Sequence, residues 1–289
     1  MTHRGGWWPA VPAAEFAVPR DLDILIPTRD RPTELAATLA GLASSDIHSP
    51  TGVMISDQSQ SKPACSYPAV AGMVRILAYR GFVIHTARNL PPRGMAEQRA
   101  FLLSHSRATY VLYLDDDVWL EPDAISRMRA AIEQLGCGLV GNAVHGLSFL
   151  DDVRPEQQVY QEWPGSPQPE RVRPGKPAWD RAQLHSAANL AHLTGRLRLS
   201  NGQWRAYKIA WIGACVMFDR AKLHSCGGFD FWPQVPSNHC GEDVAAQLQV
   251  LERHGGAGIV PSGAFHLESE TTVAHRTTRC YERVSLPPE

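Results

Sequence analysis

The chain has 289 residues, of which 44% are hydrophobic and 20% are charged, proportions typical of a globular protein with one large core. Its formal net charge is -1 and its basic residues are scattered, so we expect no nucleic-acid partner. The six cysteines form no C-x-x-C pair, no apolar run approaches the roughly 18 residues of a transmembrane segment, and no signal peptide is recognisable. We therefore expect a cytoplasmic protein.

The N-terminal 20 residues predict an extended arm, because Trp7 and Trp8 lie among Pro and Ala. A short apolar strand is predicted at residues 23–28, and apolar residues at helical spacing predict a helix after it. That helix would bury Leu35, Leu39 and Leu42. The first unit of the fold is therefore a strand, a loop and a helix.

The loop between this strand and this helix carries candidate binding residues. Pro27 and Thr28 end the strand, and Arg29 and Arg31 follow. The first turn of a helix presents unpaired backbone N–H groups, and Arg forms charge-assisted hydrogen bonds with anions. The loop is therefore a candidate anion-binding site.

Two further strands and a second helix are predicted before residue 104. Residues 53–59 form a strand whose end carries Asp57, and residues 74–79 give a weaker strand signal. A turn containing Arg93 leads into a helix with Arg99 near its start. Repeated strand, loop and helix units predict an α/β fold in which helices cover both faces of a mixed, mainly parallel sheet.

The run at residues 109–114 is continuously apolar, as in strands that are buried on both faces of a parallel sheet. It delivers Asp115, Asp116 and Asp117 to the carboxyl end of a strand, where ligands collect in such sheets. Three adjacent carboxylates repel one another unless a cation lies between them. A divalent metal ion with oxygen ligands would supply that charge.

A structural alternative exists for this acidic triplet. It can be a solvated turn before the next helix, because Glu121, Pro122 and Asp123 follow and Pro suits the first turn of a helix. The triplet alone does not decide between a metal site and such a turn.

Residues 151–205 are rich in Pro and poor in aliphatic residues, which predicts a long insertion that forms a lid or an acceptor loop. One helix is predicted within it, near residues 181–193. The core resumes with an apolar strand at residues 210–218. We assign residues 21–270 to a single domain containing this insertion, and residues 271–289 to a C-terminal tail.

Near the end of the domain, Glu242 and Asp243 open a predicted helix that ends at Gly255. Acidic residues at a helix N-terminus also interact favourably with the helix dipole, so this placement alone requires no function. A last strand at residues 258–261 leads to His266. A single His is more often a core residue than a metal ligand.

Taken together, these residues resemble the inverting, metal-dependent glycosyltransferases of family 2, which have the GT-A fold, from Leu22 to His266. The family's motifs occur in order: the nucleotide loop at residues 26–31, the base-reading strand end at 55–59, the helix start at 94–99, the D-x-D motif at 114–117, the acceptor-side segments at 213–218 and 227–230, and the catalytic-base motif at 241–243. Two positions depart from the common pattern, Gln58 in place of Gly and Ala100 in place of Asn.

The resemblance implies a nucleotide-diphosphate sugar as donor, of UDP type, and Mn²⁺ or Mg²⁺ as cofactor. It implies that Asp243 is the catalytic base, with Glu242 beside it. It also implies that the metal ligands are Asp115, Asp117 and His266, with His275 as an alternative to His266. It also implies nucleotide contacts from Pro27, Thr28, Arg29, Arg31, Asp57, Arg93, Arg99, Asp115 and Asp116. The acceptor and the oligomeric state stay open.

Three other functions are compatible with parts of this pattern. A sugar nucleotidylyltransferase has a related scaffold, but it needs a Gly-rich loop after the first strand, and residues 27–30 contain no Gly. A glycosidase also uses two carboxylates, but it needs no metal site. A non-catalytic nucleotide-sugar binding protein on a degenerate transferase fold is the third alternative, which Ala100 makes conceivable.

Overall fold

The computed structural model of the protein describes residues 20–47, 50–273, 276 and 278–284. The predicted arm with Trp7 and Trp8, and the alternative ligand His275, lie outside the described residues. Within those ranges, no helix combines the length and the apolar character that crossing a membrane requires.

The described strands and helices follow the chain as a long series of short elements. The strands are β1 (Leu22–Thr28), β2 (Gly52–Asp57), β3 (Val83–Arg88), β4 (Tyr110–Leu114), β5 (Val118–Leu120), β6 (Leu139–Gly141), β7 (His145–Gly146), β8 (Arg205–Tyr207), β9 (Cys215–Asp219), β10 (His239–Cys240), β11 (Gly256–Val260), β12 (Ala264–His266) and β13 (Thr278–Arg279). The α-helices are α1 (Pro32–Ala43), α2 (Pro68–Tyr79), α3 (Met95–His105), α4 (Ala124–Leu135), α5 (Asn189–Leu197), α6 (Arg220–Ser225), α7 (Glu242–His254) and α8 (Cys280–Arg283).

The central sheet has eight strands in the order β3-β2-β1-β4-β9-β6-β11-β8. Its parallel pairs are β3 with β2, β2 with β1, β1 with β4, and β6 with β11. Strand β9 is antiparallel to both β4 and β6, and β8 is antiparallel to β11. All strands except β8 and β9 therefore point the same way, which confirms the predicted mixed, mainly parallel sheet.

Each face of this sheet carries its own hydrophobic core, because successive side chains of a strand point to opposite faces. In β1, Leu25 belongs to a cluster that includes residues of α3, α5 and α7. Its neighbours Ile24 and Ile26 belong to a second cluster, with residues of α1, α2 and α4. Helices therefore cover both faces, as predicted.

Two small sheets extend this core. Strand β12 pairs with β5 and β7, and this places His266 opposite Val118, the residue after Asp117. Strand β10 pairs with β13 immediately before α7 begins. Both additions lie beside residues that were predicted to be functional.

The predicted strand at residues 74–79 is wrong, because these residues form the second half of α2. The helix buries Val70, Val74 and Leu77, a spacing of three or four residues that is characteristic of one helix face. The actual third strand, β3, lies at the edge of the sheet, and of its six residues only Ile84 is buried. Its polar residues gave too weak an apolar pattern for recognition.

The insertion at residues 151–205 is packed against the domain. It contains two 3₁₀ helices, at Pro155–Gln157 and Pro177–His185, and α5, so the single helix predicted near residues 181–193 is divided by a short break. Leu184, Leu190 and Leu193 are buried in the same cluster as α7. The guanidinium group of Arg181 donates two hydrogen bonds to Glu170, at 2.7 and 2.8 Å.

The segment that we assigned to a C-terminal tail is structured where it is described. Strand β13 pairs with β10, and the ring of Tyr281 in α8 lies 2.8 Å from where a Cβ atom at Gly241 would stand. Gly241 has a positive φ of 69°, so its own conformation also favours glycine. This part of the chain supports the N-terminus of α7.

The start of β1 is anchored by a buried ion pair that allows a test of the fold. Asp23 is fully buried and accepts hydrogen bonds from Arg20 Nε at 2.8 Å and from Ser106 Oγ at 2.7 Å. Asp23→Ala should lower the free energy of unfolding by about 3–5 kcal/mol, because it leaves the Arg20 charge buried without its carboxylate. Urea denaturation measures the change.

The matched control is Asp21→Ala, two residues away. Asp21 is paired with Arg129 at the surface, where ion pairs contribute less than about 1 kcal/mol. Equal losses of stability in the two variants would contradict the assigned role of the Asp23 pair.

Candidate functional site

The predicted site residues meet in a cleft of about 420 Å³ at the carboxyl ends of β1 and β4. The walls of the cleft include the loop after β1, the acidic triplet after β4, the N-terminus of α7 and the segment after β12. The predicted residues that line it are Pro27, Thr28, Arg29, Arg31, Arg99, Asp115, Asp116, Asp117, Glu242, Asp243 and His266. The fold thus brings together eleven of the residues singled out in the sequence.

The triplet reaches the cleft because β4 is buried between β1 and β9. The N–H of Asp115 donates to the carbonyl oxygen of Ala214 at 2.8 Å. Ala214 has a φ of 68°, which is unusual for a residue other than glycine and costs conformational energy. The backbone is therefore held in a strained conformation beside the first acid.

Asp115 and Glu242 are joined by one guanidinium group. Arg99 is buried and donates from Nη2 to Asp115 Oδ1 at 2.9 Å and from Nε to Glu242 Oε1 at 3.0 Å. Burial alone would lower the pKa of Arg99, but the two carboxylates raise it above its ordinary value. The hydroxyl group of Tyr113 donates to the carbonyl oxygen of Arg99 at 2.8 Å. Arg99 therefore ties the end of β4 to the start of α7.

Both carboxylate oxygens of Asp116 accept hydrogen bonds from residues of the protein. Its Oδ2 accepts from Thr28 Oγ1 at 2.6 Å and its Oδ1 accepts from Arg31 Nη1 at 3.0 Å. Burial raises the pKa of Asp116 to about 7, although the hydrogen bond from Thr28 and the charge of Arg31 act in the opposite direction. Asp116 connects the triplet to the loop after β1.

Asp117 lies between Arg31 and His266. Its Oδ2 accepts from Arg31 Nη1 at 2.7 Å and lies 3.4 Å from His266 Nε2. His266 Nδ1 accepts a hydrogen bond from the N–H of Glu268 at 2.8 Å, so neutral His266 carries its proton on Nε2, facing Asp117. Glu268, like Ala214, has a positive φ, here 57°.

These contacts show how the protein itself balances the acidic triplet: Arg31 and Arg99 lie against its carboxylates. Among the described residues, no group of three or more His, Cys, Asp or Glu side chains is arranged to hold a metal ion. The carboxylates of Asp115 and Asp117 line the cleft and suit Mn²⁺ or Mg²⁺ chemically. The imidazole of His266, in the observed arrangement, is not prepared to bind a metal ion. Ligation through Nε2 would require the proton to be on Nδ1, but Nδ1 accepts a hydrogen bond from the N–H of Glu268.

The two acids at the start of α7 have different environments. Glu242 is buried and paired with Arg99, whereas Asp243 is half-buried. Burial and the neighbouring charge of Glu242 raise the pKa of Asp243 to about 7. A carboxylate with that pKa takes up and releases a proton near neutral pH. Of the two acids, Asp243 is thus the better candidate for proton transfer.

Asp57 and Arg93 are not among the residues that line the cleft. The Asp57 carboxylate accepts from the N–H groups of Ser59 at 2.7 Å and Ala64 at 2.8 Å, and thereby closes the loop after β2. The guanidinium group of Arg93 lies over the ring of Trp232, 5.7 Å from its centroid. Their predicted nucleotide contacts stay a prediction.

The cleft also contains residues that the sequence did not single out. His239 is buried, donates from Nδ1 to the carbonyl oxygen of Pro236 at 2.6 Å and accepts at Nε2 from the N–H of Ala96 at 3.0 Å. Gly213 and Ala214, which belong to the segment that the resemblance assigned to the acceptor side, also line the cleft, and β9 begins only at Cys215, not at residue 210 as predicted. The segment after β12 contributes Ser269, Thr271, Thr272, Val273 and Arg276. No local pattern in the sequence pointed to His239 or to the segment after β12.

Comparison with known proteins identifies the family. Residues 23–185 match the model described as glycosyl transferase family 2. Galactofuranosyltransferase GlfT2 of Mycolicibacterium smegmatis (strain ATCC 700084 / mc(2)155) is 33% identical over 131 residues, which are 44% of this chain and 20% of that protein. The chain thus spans about a fifth of this curated relative.

Two solved structures align with more than four fifths of this chain. Residues 1–349 of S. aureus TarS in complex with UDP-GlcNAc align with a TM-score of 0.55 at 10% identity, covering 88% of this chain and 60% of that one. GalNAc-T7 with UDP, GalNAc and Mn²⁺ aligns with a TM-score of 0.55 at 12% identity, covering 86% and 44%. These likenesses show the GT-A fold, and the family match covers more than half of the chain, so the chain belongs to glycosyl transferase family 2.

Proposed function

We propose that this glycosyltransferase transfers a sugar from a uridine diphosphate sugar to an acceptor hydroxyl group, with inversion at the anomeric carbon and with a divalent metal ion. The observation that carries the proposal is that one cleft contains both the acidic triplet after β4 and the carboxyl group of Asp243 at the start of α7. The triplet suits the diphosphate end of a donor, and Asp243 suits the acceptor end.

The donor class is supported from two directions. The loop after β1 brings Arg29 and Arg31 to the cleft next to the N-terminus of α1, where anions are favoured. The TarS structure is a complex with UDP-GlcNAc, and the GalNAc-T7 structure contains UDP and GalNAc. The name of the GlfT2 relative adds galactofuranosyl donors to the candidates.

Asp115 and Asp117 are the residues that would hold Mn²⁺ or Mg²⁺, and such an ion stabilises the charge that develops on a diphosphate leaving group. The protein itself supplies two further cationic groups there. Arg31 contacts Asp116 and Asp117, and Arg99 contacts Asp115. The GalNAc-T7 structure, which contains Mn²⁺, supports this cofactor class.

Asp243 is our candidate general base. Ionised Asp243 takes the proton of the acceptor hydroxyl group while the hydroxyl oxygen attacks the anomeric carbon and the bond to the diphosphate breaks. A single displacement of this kind inverts the anomeric configuration. Glu242 cannot share this task because its carboxylate is committed to Arg99. Glu242 instead orients α7 and, by its charge, raises the pKa of its neighbour.

Asp117→Ala should abolish the manganese-dependent part of UDP binding, because it removes one of the two carboxylates proposed to hold the ion. Isothermal titration with UDP, with and without Mn²⁺, measures this part. Asp151→Ala, which changes an exposed acid in the insertion, serves as the control. Manganese-dependent binding of parental strength in the Asp117 variant would place the ion elsewhere.

Asp243→Asn should lower kcat by about 10²–10⁴-fold, the usual contribution of a general base, and should leave UDP binding intact. In the parent protein, kcat/KM should rise with pH and reach half its maximum near pH 7, because only ionised Asp243 accepts a proton. A rate profile that stays flat down to pH 5 would rule out Asp243 as the base.

The raised pKa also has a consequence for stability. The unfolded pKa of Asp is about 3.9, so ionised Asp243 opposes folding above pH 7, and this cost disappears as the pH falls from 7 to 4. Asp243→Asn should therefore raise Tm by a few degrees at pH 8 and leave Tm unchanged near pH 4. Differential scanning calorimetry at the two pH values checks this, with exposed Asp230→Asn as the control. A lower Tm for the Asp243 variant at pH 8 would contradict the prediction.

A further inference from the structure

The helix that carries Arg99, α3, has no capping side chain of its own. The residue before it is Gly94, which has a φ of 97°. A Cβ atom at Gly94 would lie 2.6 Å from the carbonyl oxygen of Ser237, so a residue with a side chain would displace this backbone. The N–H groups of the first turn of a helix have no partner within the helix. In α3 they therefore depend on acceptors from elsewhere in the chain.

His239 supplies one such acceptor from the segment that precedes α7. Its Nε2 accepts from the N–H of Ala96, the second residue of α3, at 3.0 Å. Because a backbone N–H can only donate, Nε2 carries no proton, and the proton on Nδ1 is donated to the carbonyl oxygen of Pro236 at 2.6 Å. The side chain is buried. The ring of His239 is thus fixed at both nitrogen atoms.

This cap lies one helical turn before Arg99, which joins Asp115 to Glu242. His239 also lies three residues before Glu242, and its Nε2 is 3.9 Å from Glu242 Oε2. Since the Nε2 lone pair is used by the N–H of Ala96, the Glu242 carboxylate stays available to Arg99. The starts of α3 and α7 are therefore connected twice, once through Arg99 and once through His239.

The two connections differ in stiffness. Arg99 reaches its carboxylates through a long side chain with several rotatable bonds, so on its own it would allow the two helices to tilt against each other. The ring of His239 is short, planar and held at both nitrogens. The angle between the starts of α3 and α7 is thus set by His239, and Asp243 is the second residue of α7.

We propose that His239 is a positioning residue for sugar transfer: by capping α3 it holds Arg99, and through Arg99 it sets the place of Asp243 relative to the acidic triplet. The inference rests on the proposed function, to which it adds a residue that acts through Arg99. Such a residue affects the rate strongly, because displacement of a reacting group by about 1 Å can cost about 10²-fold.

Two substitutions in the full chain separate the roles of the two ring nitrogens. His239→Asn places an amide nitrogen near the position of Nδ1, so it keeps the bond to Pro236 but leaves the N–H of Ala96 without an acceptor. His239→Gln places an amide oxygen near the position of Nε2 and keeps the cap on α3. His239→Asn should lower kcat about 10–100-fold, and His239→Gln should retain most of the parental kcat. Equal loss of kcat in both variants, or in neither, would overturn the proposal.

The pH profile distinguishes positioning from a loss of stability. Burial raises the pKa of Asp243 most, Glu242 and Asp115 raise it further, and Arg99 lowers it. A looser hold on Arg99 weakens its effect, so the pH of half-maximal kcat/KM should move upwards in His239→Asn. A purely structural role of His239 would leave that pH unchanged.

The matched control is Ser106→Ala, at the opposite end of α3. It removes the buried hydrogen bond from Ser106 Oγ to Asp23, at 2.7 Å, and should lower Tm. It should change neither kcat nor the pH of half-maximal kcat/KM, because it leaves the first turn of α3 capped. A fall in kcat in Ser106→Ala as large as that in His239→Asn would show that any destabilisation of α3 has this effect, and would overturn the specific role of His239.

Hydrogen exchange of the full chain tests the coupling without turnover. His239→Asn should speed the exchange of backbone amides at the starts of both α3 and α7, whereas Ser106→Ala should affect only the end of α3. If the parent protein neither transfers nor hydrolyses any UDP-sugar but both helix starts respond, the proposed function fails and the coupling stands. If only the start of α3 responds, His239 is a local cap and the positioning role is refuted.

Discussion

The position of Arg99 between Asp115 and Glu242 is the constraint on which the rest of the cleft depends. A buried guanidinium group without partners would be very costly, so both ion pairs must persist as long as the protein is folded. Through them, the end of β4 and the start of α7 are fixed relative to each other, although they lie on different parts of the chain. Asp243 follows Glu242 directly, so its distance from the acidic triplet is fixed by the same contacts.

This arrangement also sets the charge balance of the cleft. Five carboxylates face two contacting guanidinium groups: the triplet, Glu242 and Asp243 on one side, and Arg31 and Arg99 on the other. Burial is the main reason why the pKa values of Asp116 and Asp243 are raised to about 7, and the neighbouring carboxylates raise them further. A cation that enters such a cleft stabilises the ionised carboxylates, so binding of a cation and loss of a proton are thermodynamically coupled.

Much of the fold could be predicted from the sequence, because β1, β2 and β4 are buried strands with continuous apolar runs and α7 has a clear helical pattern ending at Gly255. The clustering of the site residues could also be predicted, since the carboxyl ends of parallel strands meet at one edge of a sheet. The contacts between these residues could not be predicted. The sequence shows Arg31 and Arg99 near strand ends, but not that each lies against a carboxylate of the triplet. Strand β3 and the segment after β12 were missed because polar residues form them, and their positions depend on tertiary pairing that no local pattern encodes.

A smaller cavity of about 310 Å³ adjoins the cleft, and Val144 and Gly213 line both spaces. The two spaces differ in charge, because acidic and Arg side chains line the cleft, whereas no Asp, Glu, Lys or Arg is found among the described residues that line the cavity. The insertion forms part of the cavity wall and is anchored in the same hydrophobic core as α7. Gln247 of α7 also bonds to both backbone groups of Ile212, which precedes Gly213. The wall between the two spaces and the helix that carries Asp243 therefore belong to one packed unit, so the polarity of the cavity and the position of Asp243 depend on the same contacts.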